Sequence, residues 1–140
     1  MLWDRRVYSL DEGERIKALD AIKSLIYKRD EILFAYVHGS FLEGRFRDLD
    51  LAVYLDRENG ISYSLELESA IEETLDYPVD LRVLNNAPLA FKFRVMEKGL
   101  LLFSRDDMLL CDFECLTMAE YHDFRHHLDI YRREAVGLEV

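Results

Sequence analysis

Residues 38 to 51 read His-Gly-Ser-Phe-Leu-Glu-Gly-Arg-Phe-Arg-Asp-Leu-Asp-Leu and join two apolar runs. Near its end this segment contains two aspartates, Asp48 and Asp50, separated by one residue. Because side chains alternate faces along an extended strand, both carboxylates are expected to point the same way. Mg²⁺ prefers oxygen ligands and is commonly held by one or two carboxylates together with substrate phosphates. The pair therefore predicts a site for a divalent metal and a triphosphate; the alternative is a solvated strand edge.

The Gly39-Ser40 pair upstream makes the metal interpretation more specific. Glycine allows the backbone to come close to a ligand, and a serine hydroxyl with the free N–H groups of a following helical turn can bind phosphate oxygens. A plain hairpin loop is the alternative for the same residues. Gly39 and Ser40 are therefore candidate nucleotide-binding residues, whereas His38 is expected to be a strand-end histidine without a chemical role.

A third carboxylate, Asp80, lies in a later segment that reads Val-Asp-Leu-Arg-Val-Leu from residue 79 to residue 84. Alternation places Asp80 and Arg82 on one face of this strand and the apolar residues on the other. If the strand lies beside the one that begins near Asp48, Asp80 completes a triad with Asp48 and Asp50. Three acids at close range repel one another strongly without a cation, which favours a metal site. Outside such a triad, Asp80 would be an ordinary exposed strand residue.

These motifs resemble those of the nucleotidyltransferases of the DNA polymerase beta superfamily. The residues that carry the resemblance are Gly39-Ser40, Asp48-x-Asp50 and the later strand acid Asp80. More narrowly, the chain is similar to the minimal nucleotidyltransferase (MNT) antitoxins of HEPN–MNT toxin–antitoxin pairs. The narrower similarity involves residues 79–88, residues 93–103 and the sequence Tyr-His-Asp-Phe at 121–124. It extends over most of the chain.

The resemblance implies transfer of a nucleoside monophosphate from a nucleoside triphosphate, with ATP as the donor, to an acceptor hydroxyl. In a two-metal scheme the ions lie about 3.5–4 Å apart and stabilise the attacking and leaving oxygens of an in-line displacement. The resemblance assigns to Asp48 and Asp50 the Mg²⁺ that carries the triphosphate, and to Asp80 the completion of a second Mg²⁺ site. Asp48, Asp50 and Asp80 are thus both the expected metal ligands and the expected catalytic residues.

One departure from the superfamily pattern concerns the loop between Ser40 and Asp48, which is shorter than usual. Glu43 stands where a basic residue commonly precedes the second glycine, and Arg47 replaces a serine that is common before the first aspartate. Arg45 and Arg47 are expected to supply the missing positive charge. Both are therefore candidate nucleotide-binding residues.

For the antitoxin subfamily, the implied acceptor is a tyrosine hydroxyl on a partner HEPN toxin, an RNA-cleaving protein that the modification would silence. A hetero-oligomer with that toxin follows. One alternative is an antitoxin that blocks its toxin by stoichiometric binding alone. A second is a nucleotidyltransferase acting on a small molecule, for which a chain of 140 residues offers no obvious acceptor domain. The three carboxylates favour catalysis over binding alone, because a binding module has little reason to keep like charges together.

The composition fits one globular domain over residues 1–140, since half of the residues are apolar and a third are charged. With 18 basic and 28 acidic side chains the net charge is −10, which disfavours direct binding of nucleic acid and favours a basic protein partner. No apolar run approaches the length of a membrane span, and the first residues lack the apolar centre of a signal peptide. A cytoplasmic protein without membrane contact is expected.

Alternating helix and strand patterns predict an α/β fold in which helices flank a mixed sheet. A core at about residues 10–104 precedes a long C-terminal helical segment at about 106–136. The predicted elements are a helix ending at 27–29, strands at 32–37 and 49–55, a polar turn at 56–60, a helix at 63–75, a strand at 79–84, a helix from Pro88 that is stopped by Gly99 in the C′ position, a strand at 100–103 and a helix from Asp107.

Two details of the predicted helices can be checked against a structure. The sequence Ser9-Leu10-Asp11-Glu12 is typical of a capping box that begins the first helix. That helix is expected to bury the apolar residues Ile16, Leu19, Ile22 and Ile26. The C-terminal helix has an apolar stripe with 3-4-3 spacing formed by Tyr121, Phe124, Leu128 and Tyr131. The stripe is expected to pack on the body of the protein, and docking of a partner helix is the alternative.

Two cysteines and two histidines in the C-terminal region can be written as a zinc ligand set: Cys111, Cys115, His122 and His126. On one continuous helix the outermost members would lie roughly 22 Å apart, so zinc binding would require the chain to fold back. Residues 116–121 contain no Gly or Pro that would favour such a turn. Buried cysteines in a reducing cytosol are the favoured interpretation.

Overall fold

The computed structural model describes residues 7–57 and 60–137. Its strands are β1 (Tyr8–Ser9), β2 (Ile32–His38), β3 (Arg45–Phe46), β4 (Leu49–Leu55), β5 (Val79–Val83) and β6 (Leu100–Ser104). Its α-helices are α1 (Glu12–Tyr27), α2 (Ile61–Leu75), α3 (Leu89–Lys98) and α4 (Asp107–Gly137), and a short 3₁₀ helix covers Gly39–Glu43. The predicted α/β architecture with a long C-terminal helix is confirmed. Glu58 and Asn59, in the predicted polar turn, lie outside the described residues.

The main sheet has four strands in the order β5-β4-β2-β6. Strand β2 is antiparallel to both β4 and β6, whereas β4 and β5 are parallel, so the sheet is mixed as predicted. A second, two-stranded sheet pairs β1 with β3 in antiparallel orientation. The sequence did not indicate this small sheet, because each of its strands has only two residues and no alternation can be read from them.

Helices α1 and α2 cover one face of the main sheet. Alternate residues of β2, β4 and β5, among them Val37, Leu51 and Leu81, form an apolar cluster with both helices on this face. Helix α1 contributes Ile22 and Ile26, which are fully buried. The prediction that Ile16 would be buried is wrong, because its side chain is 53% exposed and helix α1 presents a narrower apolar stripe to the sheet.

Helices α3 and α4 cover the opposite face of the sheet. Phe34, Tyr36 and Ala52 form a second apolar cluster there with Val95 of α3, and Phe113 of α4 packs against it. The Tyr36 hydroxyl donates a hydrogen bond of 2.5 Å to a carboxylate oxygen of Glu114 and so ties α4 to the central strand. Burial and the adjacent Glu114 carboxylate raise the pKa of the Tyr36 hydroxyl, which therefore stays protonated and can donate.

The first helix begins two residues later than predicted. Asp11, not Ser9, is the N-cap: its side chain accepts from the Glu14 N–H at 2.7 Å, and the Glu14 carboxylate accepts from the Asp11 N–H at 3.1 Å. The capping box is therefore formed by Asp11 and Glu14. Ser9 is the last residue of β1 and pairs with Arg45 of β3, so the small sheet takes the residue that the sequence pattern had assigned to the cap.

Gly99 follows α3 as predicted, but it does not adopt the left-handed conformation that a glycine in the C′ position usually provides. Its φ of −81° is open to any residue. The need for glycine comes from space, since a Cβ atom at this position would lie 2.4 Å from the Val95 carbonyl oxygen. The absent side chain lets strand β6 start immediately beside the end of α3.

Helix α4 is continuous from Asp107 to Gly137, so its two cysteine and histidine pairs do not converge and the zinc alternative is excluded. The prediction that the cysteines would be buried is wrong: Cys111 and Cys115 are both exposed free thiols, with their Sγ atoms 3.8 Å apart on one face of the helix. They lie on the side of α4 that faces away from the sheet.

The apolar stripe of α4 is only partly covered: Tyr121 and Leu128 are half-buried, whereas Phe124 and Tyr131 are exposed. The Tyr121 ring stacks on Phe93 of α3, with 3.8 Å between ring centroids. Phe124 is 49% exposed and Tyr131 is 69% exposed. The prediction that the whole stripe packs on the body therefore holds for Tyr121 but not for Phe124 or Tyr131.

Across the described helices, no segment combines the length and apolarity required to cross a membrane.

Candidate active site

The sequence-predicted site residues lie at the end of the sheet where β2 finishes and β4 begins. His38 is opposite Asp50 in the antiparallel β2–β4 pair, and Asp50 is opposite Asp80 in the parallel β4–β5 pair. These three residues therefore form a row across three adjacent strands, on the face covered by α3 and α4. Asp48 immediately precedes β4. We call this edge of the sheet the carboxylate end.

Gly39 allows the backbone to pass directly over Asp50. Its φ of +76° lies in the left-handed region, which residues with a side chain rarely adopt. A Cβ atom at this position would lie 2.2 Å from Oδ2 of Asp50, which is closer than any real contact. Two structural constraints therefore require glycine at this position: the positive φ and the lack of space for a Cβ atom. As a result, the Gly39–Ser40 peptide lies against the Asp50 carboxylate.

The 3₁₀ helix carries Ser40 away from β2 and ends at Gly44, whose φ of +91° turns the chain into β3. Burial of Phe41 beneath this helix and of Phe46 in β3, with 4.8 Å between their ring centroids, anchors the short loop to the body. The loop and the start of β4 enclose a cleft of about 400 Å³. The cleft is lined by Val7, Ser40, Arg45, Phe46, Arg47, Asp48 and Asp50.

Four predicted side chains, Ser40, Arg45, Arg47 and Asp48, thus meet Asp50 in one cleft. Arg45 and Asp48 are exposed, and both can reach a ligand from solvent. Two cations, a hydroxyl and two carboxylates in one open cleft can bind a polyanion together with a divalent cation. The cleft lining does not include Asp80, which lies on the neighbouring strand.

Electrostatic repulsion is concentrated at Asp50. The pKa of its carboxyl group is raised from 3.8 to about 6, first by partial burial and then by the carboxylates of Asp80 and Asp48. The Arg82 guanidinium offsets only part of this effect. Hence the three carboxylates interact even though they come from two strands. A cation placed among them would relieve the repulsion.

The Asp80 side chain has a partner of its own. Its carboxylate accepts a hydrogen bond of 3.2 Å from Nε of Arg82, two residues along β5. Within residues 7–57 and 60–137, no three His, Cys, Asp or Glu side chains already stand together as a metal-binding group. The oxygen-only donor set of Asp48 and Asp50 beside Ser40 nevertheless suits Mg²⁺. A bound cation would also offset the part of the raised pKa of Asp50 that comes from Asp80 and Asp48 after the effect of burial.

Three residues near the site were missed by the sequence analysis, which assigned His38 no role and did not consider Phe91 or Arg94. The His38 ring lies edge-on to Phe91 of α3, with 5.5 Å between centroids, and its buried Nε2 has no hydrogen-bond partner among the described residues. Burial lowers the pKa of His38, Arg94 and Arg82 lower it further, and Asp80 opposes them. Only the position of α3 directly after the Asp80 strand could have suggested that Phe91 and Arg94 lie here.

Comparison with known families gives one match to the chain. The family described as polymerase beta, nucleotidyltransferase matches residues 20–108, which is more than half of the chain and includes all the predicted site residues. No curated protein sequence matches the chain.

Several solved structures share the fold over nearly their whole length. A complex of a tri-AMPylated HEPN toxin from Shewanella oneidensis with an MNT antitoxin contains a chain that is 21% identical, with 87% of this chain and 98% of the matched chain covered and a TM-score of 0.65. A chain of the MntA–HepT toxin–antitoxin is 21% identical over 90% of this chain and 97% of its own, with a TM-score of 0.64. A toxin–antitoxin structure with AMP-PNP contains a chain that is 26% identical, covering 94% and 98%, with a TM-score of 0.61.

Proposed function

The chain belongs to the polymerase beta nucleotidyltransferase family, and from this premise we propose that it transfers AMP from ATP to a tyrosine hydroxyl of a partner HEPN toxin and thereby neutralises the toxin. The observation that carries the proposal is the carboxylate end: Asp50 is paired with Asp80 of the neighbouring strand and lines one cleft together with Asp48 and Ser40. The solved relatives support the partner and the chemistry, since one contains an AMPylated HEPN toxin and another an ATP analogue.

In the proposed reaction the tyrosine oxygen forms a bond to the α-phosphorus of ATP. The bond between that phosphorus and the bridging oxygen of the β-phosphate breaks, pyrophosphate leaves, and the tyrosine proton is lost to solvent or a carboxylate. Ser40, Arg45 and Arg47 would bind the triphosphate, and Gly39 would keep the backbone close enough for Ser40 to reach it. The contribution of the protein is mainly positioning and neutralisation of charge.

Asp48 and Asp50 would hold Mg²⁺, and Asp80 would complete the site of a second ion after its carboxylate leaves Arg82. Bound Mg²⁺ would stabilise the charge that develops on the phosphate oxygens and lower the pKa of the incoming hydroxyl. The oxygen donor set and the repulsion at Asp50 support this assignment.

The toxin of the Shewanella oneidensis relative carries three AMP groups, so repeated transfer is part of the proposal. We take the whole chain as one minimal nucleotidyltransferase unit, with a core of about residues 10–104 and a C-terminal helical segment of about 106–136. Action in the cytoplasm is supported by the exposed free thiols of Cys111 and Cys115, which suit a reducing compartment. The partner toxin and this chain would form a hetero-oligomer.

A second function, neutralisation by binding alone, is favoured by two observations. Asp80 is engaged by Arg82, and the described residues contain no ready-made metal-binding group. The fold and the exposed apolar residues of α4 would suffice for a complex without chemistry. The two functions make opposite predictions for the carboxylates, because binding alone does not need them.

The deciding experiment mixes the purified chain with ATP, Mg²⁺ and the HEPN protein encoded beside it, and follows the intact mass of the partner. AMP additions to the partner are expected. The double variant Asp48→Asn, Asp50→Asn should reduce the rate at least about 100-fold while the complex still forms, because it removes ligands but not the fold. Asp20→Asn on the exposed surface of α1 is the charge control and should transfer at the wild-type rate.

Two results would contradict the proposal. If the wild-type chain protects cells from the toxin but adds no AMP, binding alone is the function. If the double variant still modifies the partner at the wild-type rate, the site is misassigned.

A further inference from the structure

A basic and aromatic cluster lies beside Asp80, outside the lining of the cleft that contains Arg45. It consists of Arg82 of β5 and of Phe91 and Arg94 of α3, and we call it the arginine cluster. The two guanidinium carbons lie 5.7 Å and 5.8 Å from the centroid of the Phe91 ring, within the range of a cation–π contact. Phe91 is thus the common support of two cations that come from different elements.

One side of the arginine cluster packs on the protein, and the other side is open to solvent. His38 contacts the Phe91 ring edge-on and fixes it relative to the carboxylate row. Phe91 is half-buried, whereas Arg82 and Arg94 are exposed. The packed ring limits the motion of both guanidinium groups, so a ligand would meet them with less entropy to lose than it would at two free surface arginines.

Both cations retain hydrogen-bonding capacity. Arg82 uses Nε on Asp80, and its side chain is 59% exposed, which leaves its terminal amines available. Arg94 forms no ion pair with any residue in the described part of the chain. The unpartnered Nε2 of His38 adds a further polar atom at the base of the cluster.

The arginine cluster is a local concentration of positive charge on a protein whose net charge is negative. A chain with a net charge of −10 repels anions, and the carboxylates of Asp80 and Asp50 beside the cluster strengthen the repulsion at short range. An acceptor that brings its own negative charge to Asp80 would therefore need local cations. Arginine suits this task, because its planar fork binds phosphate and carboxylate oxygens in pairs.

Resting on the proposed function, we propose that the arginine cluster binds an anionic group that accompanies the acceptor hydroxyl to Asp80. That group has two sources: a carboxylate of the toxin next to the acceptor tyrosine, or the phosphodiester of an AMP attached in an earlier transfer. In the second case a ribose hydroxyl of the attached AMP loses its proton and bonds to the α-phosphorus of another ATP, and pyrophosphate leaves as in the first transfer.

The test uses Arg94→Gln, because Arg94 touches none of the carboxylates and its replacement leaves the Asp80–Arg82 pair intact. The full-length variant, the HEPN partner, ATP and Mg²⁺ are combined, and the rate of each successive AMP addition is read by intact mass. Lys98→Gln is the matched control, since it removes one positive charge from an exposed position on the same helix. Arg94→Lys keeps the charge but not the fork. Thermal unfolding establishes that all three variants fold.

We expect Arg94→Gln to slow the second addition at least 10-fold and to leave the first within 2-fold, which identifies the phosphodiester as the anion. Slowing of the first addition by a similar factor identifies a carboxylate of the toxin instead. In both cases Arg94→Lys should recover part of the rate, and Lys98→Gln should match the wild type.

Equal rates for Arg94→Gln and wild type in every addition, including the case of a single addition, would overturn the inference while the proposed function stands. Absence of any AMP on the partner of the wild-type chain would overturn the proposed function itself. A binding measurement without ATP or Mg²⁺ gives an independent readout. Partner already AMPylated by the wild-type chain should bind wild type more tightly than Arg94→Gln, by at least 5-fold.

Discussion

The two ends of the central strand pair differ sharply in how their polar groups are satisfied. Where β2 begins and β4 ends, at Ile32 and Leu55, side chains bond the free backbone groups; we call this the closed end. Arg105 donates to the carbonyl oxygens of Ile32 and Tyr27 at 3.0 Å and 2.6 Å. Asn85 accepts from the Leu55 N–H at 2.9 Å and donates to the Leu55 carbonyl at 2.8 Å.

The carboxylate end of the same strands has the opposite character. Asp50 carries a raised pKa from partial burial and from neighbouring carboxylates, and Nε2 of His38 is buried without a partner among the described residues. Arg94 stands exposed without an ion pair in that part of the chain. At the closed end, Oγ of Ser104 is also buried without a partner among the described residues, but that atom carries no charge. Because unsatisfied charge costs stability, the carboxylate end is where a ligand is expected.

Of the substitutions that test the difference between the two ends, Gly39→Ala should have the largest effect. The new Cβ would lie 2.2 Å from Oδ2 of Asp50 at a backbone φ of +76°, so either the loop or the carboxylate must move. Because misplacement by about 1 Å can cost roughly 100-fold in rate, we expect AMP transfer to fall by about that factor. Stability should fall by about 1–2 kcal/mol from backbone strain. Intact-mass kinetics and urea unfolding measure the two effects.

Gly60→Ala is the matched control for that substitution. A Cβ at Gly60 would meet no atom within 4 Å, and the φ of Gly60 is −76°. Transfer should remain at the wild-type rate. If both variants lose activity equally, the close approach of Gly39 to Asp50 is not what the site needs.

Asn85→Ala tests the closed end. It leaves the N–H and the C=O of a fully buried strand residue, Leu55, without their partners. Because each unsatisfied buried group costs about 1–3 kcal/mol, we expect a loss of about 3 kcal/mol in the free energy of unfolding. The rate of transfer per folded molecule should be unchanged. A loss of rate without a loss of stability would mean that the two ends are not functionally distinct.

The sequence predicted the carboxylate end better than the closed end. Gly39, Ser40, Asp48 and Asp50 lie in one continuous segment, and strand alternation predicts a common direction for the two aspartates without any knowledge of tertiary contacts. Asn85 and Arg105 act through backbone groups that are distant in sequence, and no local pattern reports such pairs. The arginine cluster was missed for the same reason, since Arg94 reaches the site only through the packing of α3.

Local errors in the predicted fold have equally specific causes. Ser9 and Asp11 are both good N-cap residues, and only the pairing of Ser9 with Arg45 in the small sheet decides between them. The exposure of Cys111 follows from which face of α4 meets the sheet. That choice depends on Phe113 and on the Tyr36–Glu114 hydrogen bond, which join residues far apart in the chain.

Asp50→Asn should have a smaller effect on stability than Asn85→Ala, and one of opposite sign. It removes a carboxylate that is disfavoured first by partial burial and then by the neighbouring Asp80 and Asp48, so the metal-free variant should be more stable than the wild type although it transfers no AMP. After discounting for solvent screening at a half-exposed group, we expect a gain of about 1 kcal/mol. Thermal unfolding in a chelator should show an increase of about 3 °C. A lower melting temperature would mean that Asp50 is stabilised by its surroundings.

Glu31 at the closed end should give the smallest effect. Unlike Asp50, its carboxylate has a hydrogen-bond donor and positively charged neighbours. Its burial alone would raise its pKa, but the hydrogen bond from the Tyr63 hydroxyl and the charges of Arg29 and Arg105 outweigh this and hold the pKa below its ordinary value of 4.5. A lowered folded-state pKa stabilises the protein above the unfolded-state pKa, and this contribution is lost as the pH falls through the folded-state value. Glu31→Gln should therefore be less stable than wild type at neutral pH, and the difference should shrink below about pH 4.5. Urea unfolding across this pH range measures it, and a difference that stays constant would show that the charge of Glu31 contributes nothing.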